Sequence, residues 1–136
     1  MFLSKNLVFI QDTSAFILKL IQERNINPLT AFVRISLHGG GSLLKVILNV
    51  FDPLEDDLSN VLLNSGVQKC QVLAIAEEVH ESNYNLRLIL EKLKLENVSY
   101  YLAFDLKCAN AVLFFLHTAE SIVVYVVMDT NVINLI

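Results

Sequence analysis

Apolar residues recur at helical spacing in the first part of the chain, between Asp12 and Asn25. The residues of this stripe are Phe16, Ile17, Leu20 and Ile21. Asp12 or Thr13 is placed to cap a helix at its start, and Pro28 closes the exit. The spacing therefore predicts an N-terminal helix that packs one face against a core.

The period then changes to strict alternation, from Phe32 to His38. The apolar members of this run are Val33, Ile35 and Leu37, and the polar members are Arg34, Ser36 and His38. Gly39-Gly40-Gly41 interrupts the run, and a second strand-like run extends from Leu43 to Phe51. Two strand patterns joined by a glycine-rich connection predict a β-hairpin with one buried face.

Five further elements are predicted downstream. They are a strand at Cys70–Ala76, a helix at Tyr84–Leu95, a strand at Tyr100–Phe104, a helix at Cys108–Leu116 and a strand at Ile122–Met128. Between the hairpin and these elements, residues 52–65 are polar and acidic. The 12-residue pattern and the central glycine of a calcium-binding loop are missing here, so we interpret the segment that carries Asp52, Glu55, Asp56 and Asp57 as a solvated acidic loop.

The order of the elements predicts the fold class. A three-strand meander followed by helix, strand, helix and strand is typical of an α/β protein with a mixed sheet of about five strands and flanking helices. We expect two parts, an N-terminal helical segment at residues 1–30 and a single domain at residues 31–136 that is truncated.

Composition excludes several classes of protein. The chain has 136 residues, 54% of them hydrophobic, and a formal net charge of −4, which argues against disorder and against a basic nucleic-acid-binding face. Cys70 and Cys108 are too few for a disulfide scaffold, and we interpret both as core cysteines. The start of the chain has no basic region before its apolar residues, so we expect an intracellular protein without a signal peptide.

The order of elements resembles that of the ribonuclease H-like fold, which integrases and transposases share. The resemblance implies one catalytic aspartate on the first strand of the meander, a second just after the fourth strand, and a third acidic residue on a later helix. Asp105 follows the fourth predicted strand and occupies the second position, whereas His38 occupies the first. In such proteins the carboxylates hold two divalent metal ions about 4 Å apart.

His38 makes this chain a poor nuclease. A neutral imidazole is a weak ligand for Mg²⁺ and removes one negative charge from the site. No acidic residue follows the fifth predicted strand on a helix, so one carboxylate of three remains. We therefore expect a catalytically inactive protein without a cofactor, in which Mg²⁺ or Mn²⁺ would bind only if the ancestral site survives.

A second resemblance is to an uncharacterised family of long, transposon-derived invertebrate proteins. It rests on Val33–Leu37, Gly39–Gly41, Val46–Phe51 and Phe104–Asn110. The family pattern implies an aspartate where this chain has His38, and a glycine-, histidine- and cysteine-containing stretch after Asn110. This chain has neither feature. A back-translation of residues 117–136 that reads as a cysteine- and histidine-rich run in another frame suggests that residues 112–136 are a frameshift product.

Two other functions remain open. A small protein-interaction module would bind a protein partner through the edge of its sheet or its apolar tail, and nucleic acid would be a partner only of the ancestral family. A single-span membrane protein would use residues 109–128, but Glu120 interrupts that run. The β-branched residues 122–127 fit a buried strand better than a membrane helix, so the membrane signal is weak.

Overall fold

The computed structural model of the chain describes residues 6–40, 42–79, 83–95, 98–104, 123–128 and 131–135. These residues contain seven strands and three α-helices, with a short 3₁₀ turn at Val67–Lys69. In chain order the elements are β1 (Leu7–Phe9), α1 (Thr13–Glu23), β2 (Phe32–Gly40), β3 (Leu43–Phe51), α2 (Leu58–Ser65), β4 (Gln71–Glu77), α3 (Asn83–Lys92), β5 (Tyr101–Phe104), β6 (Val123–Met128) and β7 (Asn131–Leu135).

The strands form one mixed sheet in the order β1-β4-β3-β2-β5-β6-β7. Strands β2, β3 and β4 are an antiparallel meander. Strand β5 lies parallel to β2, and β6 lies parallel to β5. The predicted α/β class with a mixed sheet is confirmed, and all five predicted strands belong to the sheet. Two strands that the pattern did not predict, β1 and β7, pair antiparallel to β4 and β6.

One face of the sheet carries the hydrophobic core. The alternation in β2 is confirmed, because Val33, Ile35 and Leu37 are buried while His38 is exposed. Helices α1 and α3 contribute their apolar stripes to the same cluster of side chains. The members from these helices are Ile17, Leu20, Ile21, Leu86, Ile89 and Leu90. Burial of each large aliphatic side chain contributes about 1.5–3 kcal/mol, so this face is the main source of stability.

The opposite face of the sheet carries Arg34, which lies directly across from Asn49 of β3. Arg34 Nη2 donates to the carbonyl oxygen of Ser65, at the end of α2, over 3.1 Å. Helix α2 lies within the polar and acidic stretch at residues 52–65, for which the sequence pattern predicted no helix or strand. Asn64 is the buried residue of this helix, so the sequence has no inward-facing apolar stripe from which the helix could be predicted.

The helix starts follow local capping rules. The side chain of Asp12 accepts a hydrogen bond from the backbone N–H of Ala15 at 2.9 Å, which confirms the predicted cap of α1. Asp57 caps α2 in the same way through the N–H of Ser59. The predicted helix at residues 108–116 lies outside the described residues.

The predicted strand at residues 122–128 is confirmed as β6. It occupies the end of the run that could have formed a membrane span, and residues 109–122 of that run lie outside the described part of the chain. None of the helices within the described residues has the length and apolar character needed to cross a membrane.

Candidate functional site

The described part of the sequence-predicted site is on β2, which runs beside β5. Their parallel ladder pairs Arg34 with Tyr101 and ends at the pair Leu37 and Phe104. Adjacent strands of a sheet lie about 4.8 Å apart. The carboxyl end of β5 therefore lies next to the segment of β2 that leads into His38.

His38 is exposed on the polar face of β2. Its partner across the antiparallel ladder is Lys45 of β3, and the two side chains share that face. A lysine beside the imidazole adds positive charge where the ribonuclease H-like pattern implies negative charge. Among the described residues, the side chain that faces His38 across the ladder is therefore a positive charge, which disfavours a divalent cation.

Asp105 lies outside the described residues, and so do Cys108, His80 and His117. Phe104, the residue before Asp105, is the last residue of β5. The described residues contain no group of three or more histidine, cysteine, aspartate or glutamate side chains that could hold a metal ion.

The acidic residues after the hairpin stabilise the fold locally. Asp52 is 7% exposed, so the prediction that it is solvated is wrong. Its Oδ2 accepts a 2.7 Å hydrogen bond from Thr30 Oγ1, and its Oδ1 accepts from the N–H of Leu54 at 2.9 Å. Glu55 accepts from Asn60 Nδ2 at 2.8 Å. The carboxylates of Asp52 and Glu55 are therefore engaged in hydrogen bonds within the chain.

Sequence reasoning missed a partly buried polar cluster around Arg24, the residue after α1. Its Nη1 donates to Asn49 Oδ1 at 3.0 Å and to the carbonyl oxygen of Val50 at 2.6 Å. Its Nη2 donates to the carbonyl oxygen of Lys69 at 2.6 Å. Burial lowers the pKa of the Arg24 guanidinium, and nearby Cys70 and Glu23 oppose that shift. The three bonds connect α1, β3 and the 3₁₀ turn.

Cys70 lies beside this cluster and is only partly buried, whereas the sequence predicts a core residue. Its Sγ lies 3.8 Å from the carbonyl oxygen of Gly66. The cluster brings a guanidinium and a thiol near one another, but all three Arg24 bonds go to oxygen acceptors at the ends of elements. The geometry of the Arg24 cluster therefore indicates a structural role, in which the three bonds join α1, β3 and the 3₁₀ turn.

An open cleft of about 560 Å³ lies between β1 and α3, on the side of the sheet that carries the core helices. Its described lining is Phe9, Gln11, Leu88, Glu91, Lys92 and Lys94. Charges of both signs surround a small apolar floor. No histidine, cysteine or hydroxyl side chain occurs in that described lining, whose titratable side chains are Glu91, Lys92 and Lys94.

No protein-family model matches the sequence, and no curated protein and no solved structure matches the chain.

Proposed function

We propose that the chain is a ribonuclease H-like protein derived from a transposable element, and that it no longer catalyses phosphodiester cleavage. The order of the sheet supports the fold part of this proposal. An antiparallel meander of β2, β3 and β4 is followed by α3 and then by β5, which returns parallel to β2. The sequence resemblance around Val33–Leu37 and Val46–Phe51 supports the origin from a transposable element.

The pairing of β2 with β5 is the observation that carries the proposal. Two-metal catalysis requires carboxylates from two places in the chain to share metal ions about 4 Å apart. Neighbouring strands bring residues from distant parts of the chain close together, since the spacing between strands is about 4.8 Å. The last pair of the ladder, Leu37 and Phe104, directly precedes His38 and Asp105 in the chain.

Loss of activity follows from the residue types at these positions. His38 contributes no negative charge, and Lys45 lies directly across from it on β3. Coulombic repulsion between the lysine and a divalent cation further weakens binding. One remaining carboxylate, Asp105, is insufficient to hold two metal ions in the geometry that phosphoryl transfer needs.

A nicking assay tests the loss of activity. Supercoiled plasmid is incubated with the purified chain and Mn²⁺, and the expected result is no nicking above the level of a buffer control. Nicking that disappears in Asp105→Asn would overturn the proposal, because it would show that the ancestral site still works. Nicking that persists in that variant would indicate a contaminating nuclease, which repeat purification removes before the assay is scored.

A gain-of-binding experiment tests the ribonuclease H-like placement separately. His38→Asp restores a second carboxylate beside β5, and we expect it to bind Mn²⁺ more tightly than the unmodified chain in isothermal titration. Gln22→Asp is the matched control, since it also adds one carboxylate but places it on the exposed side of α1. The double variant with Asp105→Asn should lose the gain. Equal gains in the two single variants, or no gain in either, would contradict the placement.

A further inference from the structure

Helix α2 is inverted in its amphipathicity. Its one buried residue is the polar Asn64, at 8% exposure, whereas Leu58 is 67% exposed and Leu62 is 63% exposed. A surface helix ordinarily turns its apolar stripe toward the core and its polar residues toward water. In α2 the side toward the sheet meets a polar surface that includes Arg34, so the leucines are left outside.

The exposed leucines belong to a larger set of apolar residues, which we name the α2 apolar surface. Its members are Leu54, Leu58, Leu62, Leu63 and Val67, all at least 55% exposed. Leu58 and Leu62 lie one helical turn apart on the same side of α2. Single exposed leucines are normal in soluble proteins. Five exposed apolar residues within one short stretch are typical of a surface that binds another molecule.

The charged residues next to the α2 apolar surface indicate the charge of the partner that it would bind. Glu55, Asp56 and Asp57 directly precede α2, and no lysine, arginine or histidine occurs in residues 46–68. This acidic border repels nucleic acid and anionic lipid. It also disfavours a second copy of the same surface, because two copies would bring like charges together. A basic partner with apolar side chains complements both properties.

We propose that the α2 apolar surface binds a basic amphipathic helix of another protein. Leucines of the partner helix would pack against Leu58 and Leu62, and its lysines or arginines would face Glu55 and Asp56. Helices that lay an apolar stripe on an exposed apolar surface are a common mode of peptide recognition. This inference does not depend on the ribonuclease H-like proposal.

Hydrogen bonds hold the α2 apolar surface in place in the unbound chain. Arg34 fixes the carbonyl oxygen of Ser65, and Asn49 Nδ2 lies 3.5 Å from the carbonyl oxygen of Gly66, just after the helix. Asp57 caps the first turn through the N–H of Ser59 at 2.9 Å. A preformed surface loses little conformational entropy on binding, which favours affinity.

Fluorescence polarisation with a labelled peptide tests the proposal. The probe is a helical peptide of leucine and lysine, about 18 residues long, with the leucines on one face, and the control probe has glutamate in place of every lysine. We expect the basic probe to bind and the acidic probe not to bind. Leu58→Asp with Leu62→Asp should weaken binding on the order of tenfold or more. Leu18→Asp should change it less than about twofold, because Leu18 is a similarly exposed leucine (59%) on α1.

A charge variant gives an independent reading if the double leucine variant does not fold. Asp56→Lys should weaken binding of the basic probe severalfold and reduce its dependence on salt. Equal binding of the two probes, or equal loss in Leu18→Asp and in the leucine pair, would overturn the proposal. A stable dimer of the full chain that Leu58→Asp with Leu62→Asp converts to a monomer would also overturn it, since the occupant would then be a second copy.

Discussion

Arg24 Nη1 donates a 3.0 Å hydrogen bond to Oδ1 of Asn49, a side chain that is only 1% exposed. The same guanidinium also bonds the carbonyl oxygens of Val50 and Lys69. Three elements distant in sequence therefore meet at one charged group. A buried polar group that loses its partner costs more than the bond itself contributes, because it stays desolvated.

We expect Asn49→Ala to lower the free energy of unfolding by about 2–3 kcal/mol, because it removes a buried acceptor of Arg24. Urea denaturation measures the change. Asn60→Ala is the matched control: Asn60 is exposed and its side chain bonds Glu55, so a change below about 0.5 kcal/mol is expected. Equal losses in the two variants would show that the Arg24 junction has no special role.

Thr13 presents the opposite case, a buried hydroxyl without a partner. The residue is 1% exposed, and its Oγ1 has no hydrogen-bond partner among the described residues. Thr13→Val replaces the hydroxyl with a methyl group of similar shape. We expect the free energy of unfolding to stay constant or to rise by up to about 1 kcal/mol, measured by urea denaturation.

The matched control for this substitution is Thr30→Val. Thr30 Oγ1 donates to the buried carboxylate of Asp52 at 2.7 Å. Its loss should lower the free energy of unfolding by about 1–2 kcal/mol, since a hydrogen bond to a charged group is stronger than a neutral one. A loss at Thr13 as large as that at Thr30 would mean that the Thr13 hydroxyl is satisfied in solution.

The hairpin and its core face were predictable because side chains on a strand point alternately to its two faces. Val33, Ile35 and Leu37 had to be buried together or exposed together, and the structure buries them. Helix α1 was predictable for the corresponding reason, since the spacing of Ile17 and Ile21 along one helical face is a local property of the chain.

The sequence pattern failed to predict the elements whose stability depends on contacts with residues distant in the sequence. Strand β1 has three residues, and Val8 within it is 77% exposed, so only its pairing with Ile75 of β4 identifies it as a strand. Helix α2 exposes Leu58 and Leu62, which removes the inward stripe that a periodicity argument requires.

In the candidate site, too, local spacing predicted some residue positions, and contacts between residues distant in sequence determined the others. Alternation alone placed His38 on the polar face of its strand, and the structure places it there. The parallel pairing of β2 with β5 depends on a crossover through α3, which residue spacing does not specify. The Arg24 cluster joins residues 24, 49 and 69, and no motif in the sequence connects those positions.

Lys94 has a left-handed backbone conformation, with φ of 51°, just after α3. A side chain there crowds its own backbone, at a cost of roughly 1–2 kcal/mol, and glycine avoids that cost. We expect Lys94→Gly to raise the free energy of unfolding by about 0.5–1 kcal/mol in thermal or urea denaturation. Lys92→Gly, within the last turn of α3, should instead lower it by about 0.5–1 kcal/mol. Changes of the same sign in the two variants would contradict this conformational argument.

Tyr100 makes stability depend on pH in the alkaline range. Burial raises the pKa of its phenol above the usual value, because the ring packs against the core. In the unfolded chain the phenol ionises at its usual pKa of about 10, so above that pH the unfolded state has lost a proton that the folded state retains. The free energy of unfolding should therefore fall as the pH rises from about 10 through the raised folded pKa.

Tyr100→Phe isolates this effect, since it removes the titrating group and keeps the ring. Urea denaturation at about pH 8 and at about pH 10.5 should show a smaller loss of stability in Tyr100→Phe than in the unmodified chain. Tyr84→Phe is the control, because Tyr84 is 63% exposed and should not alter the loss. If Tyr100→Phe loses as much stability as the unmodified chain, ionisation of Tyr100 does not drive the alkaline transition.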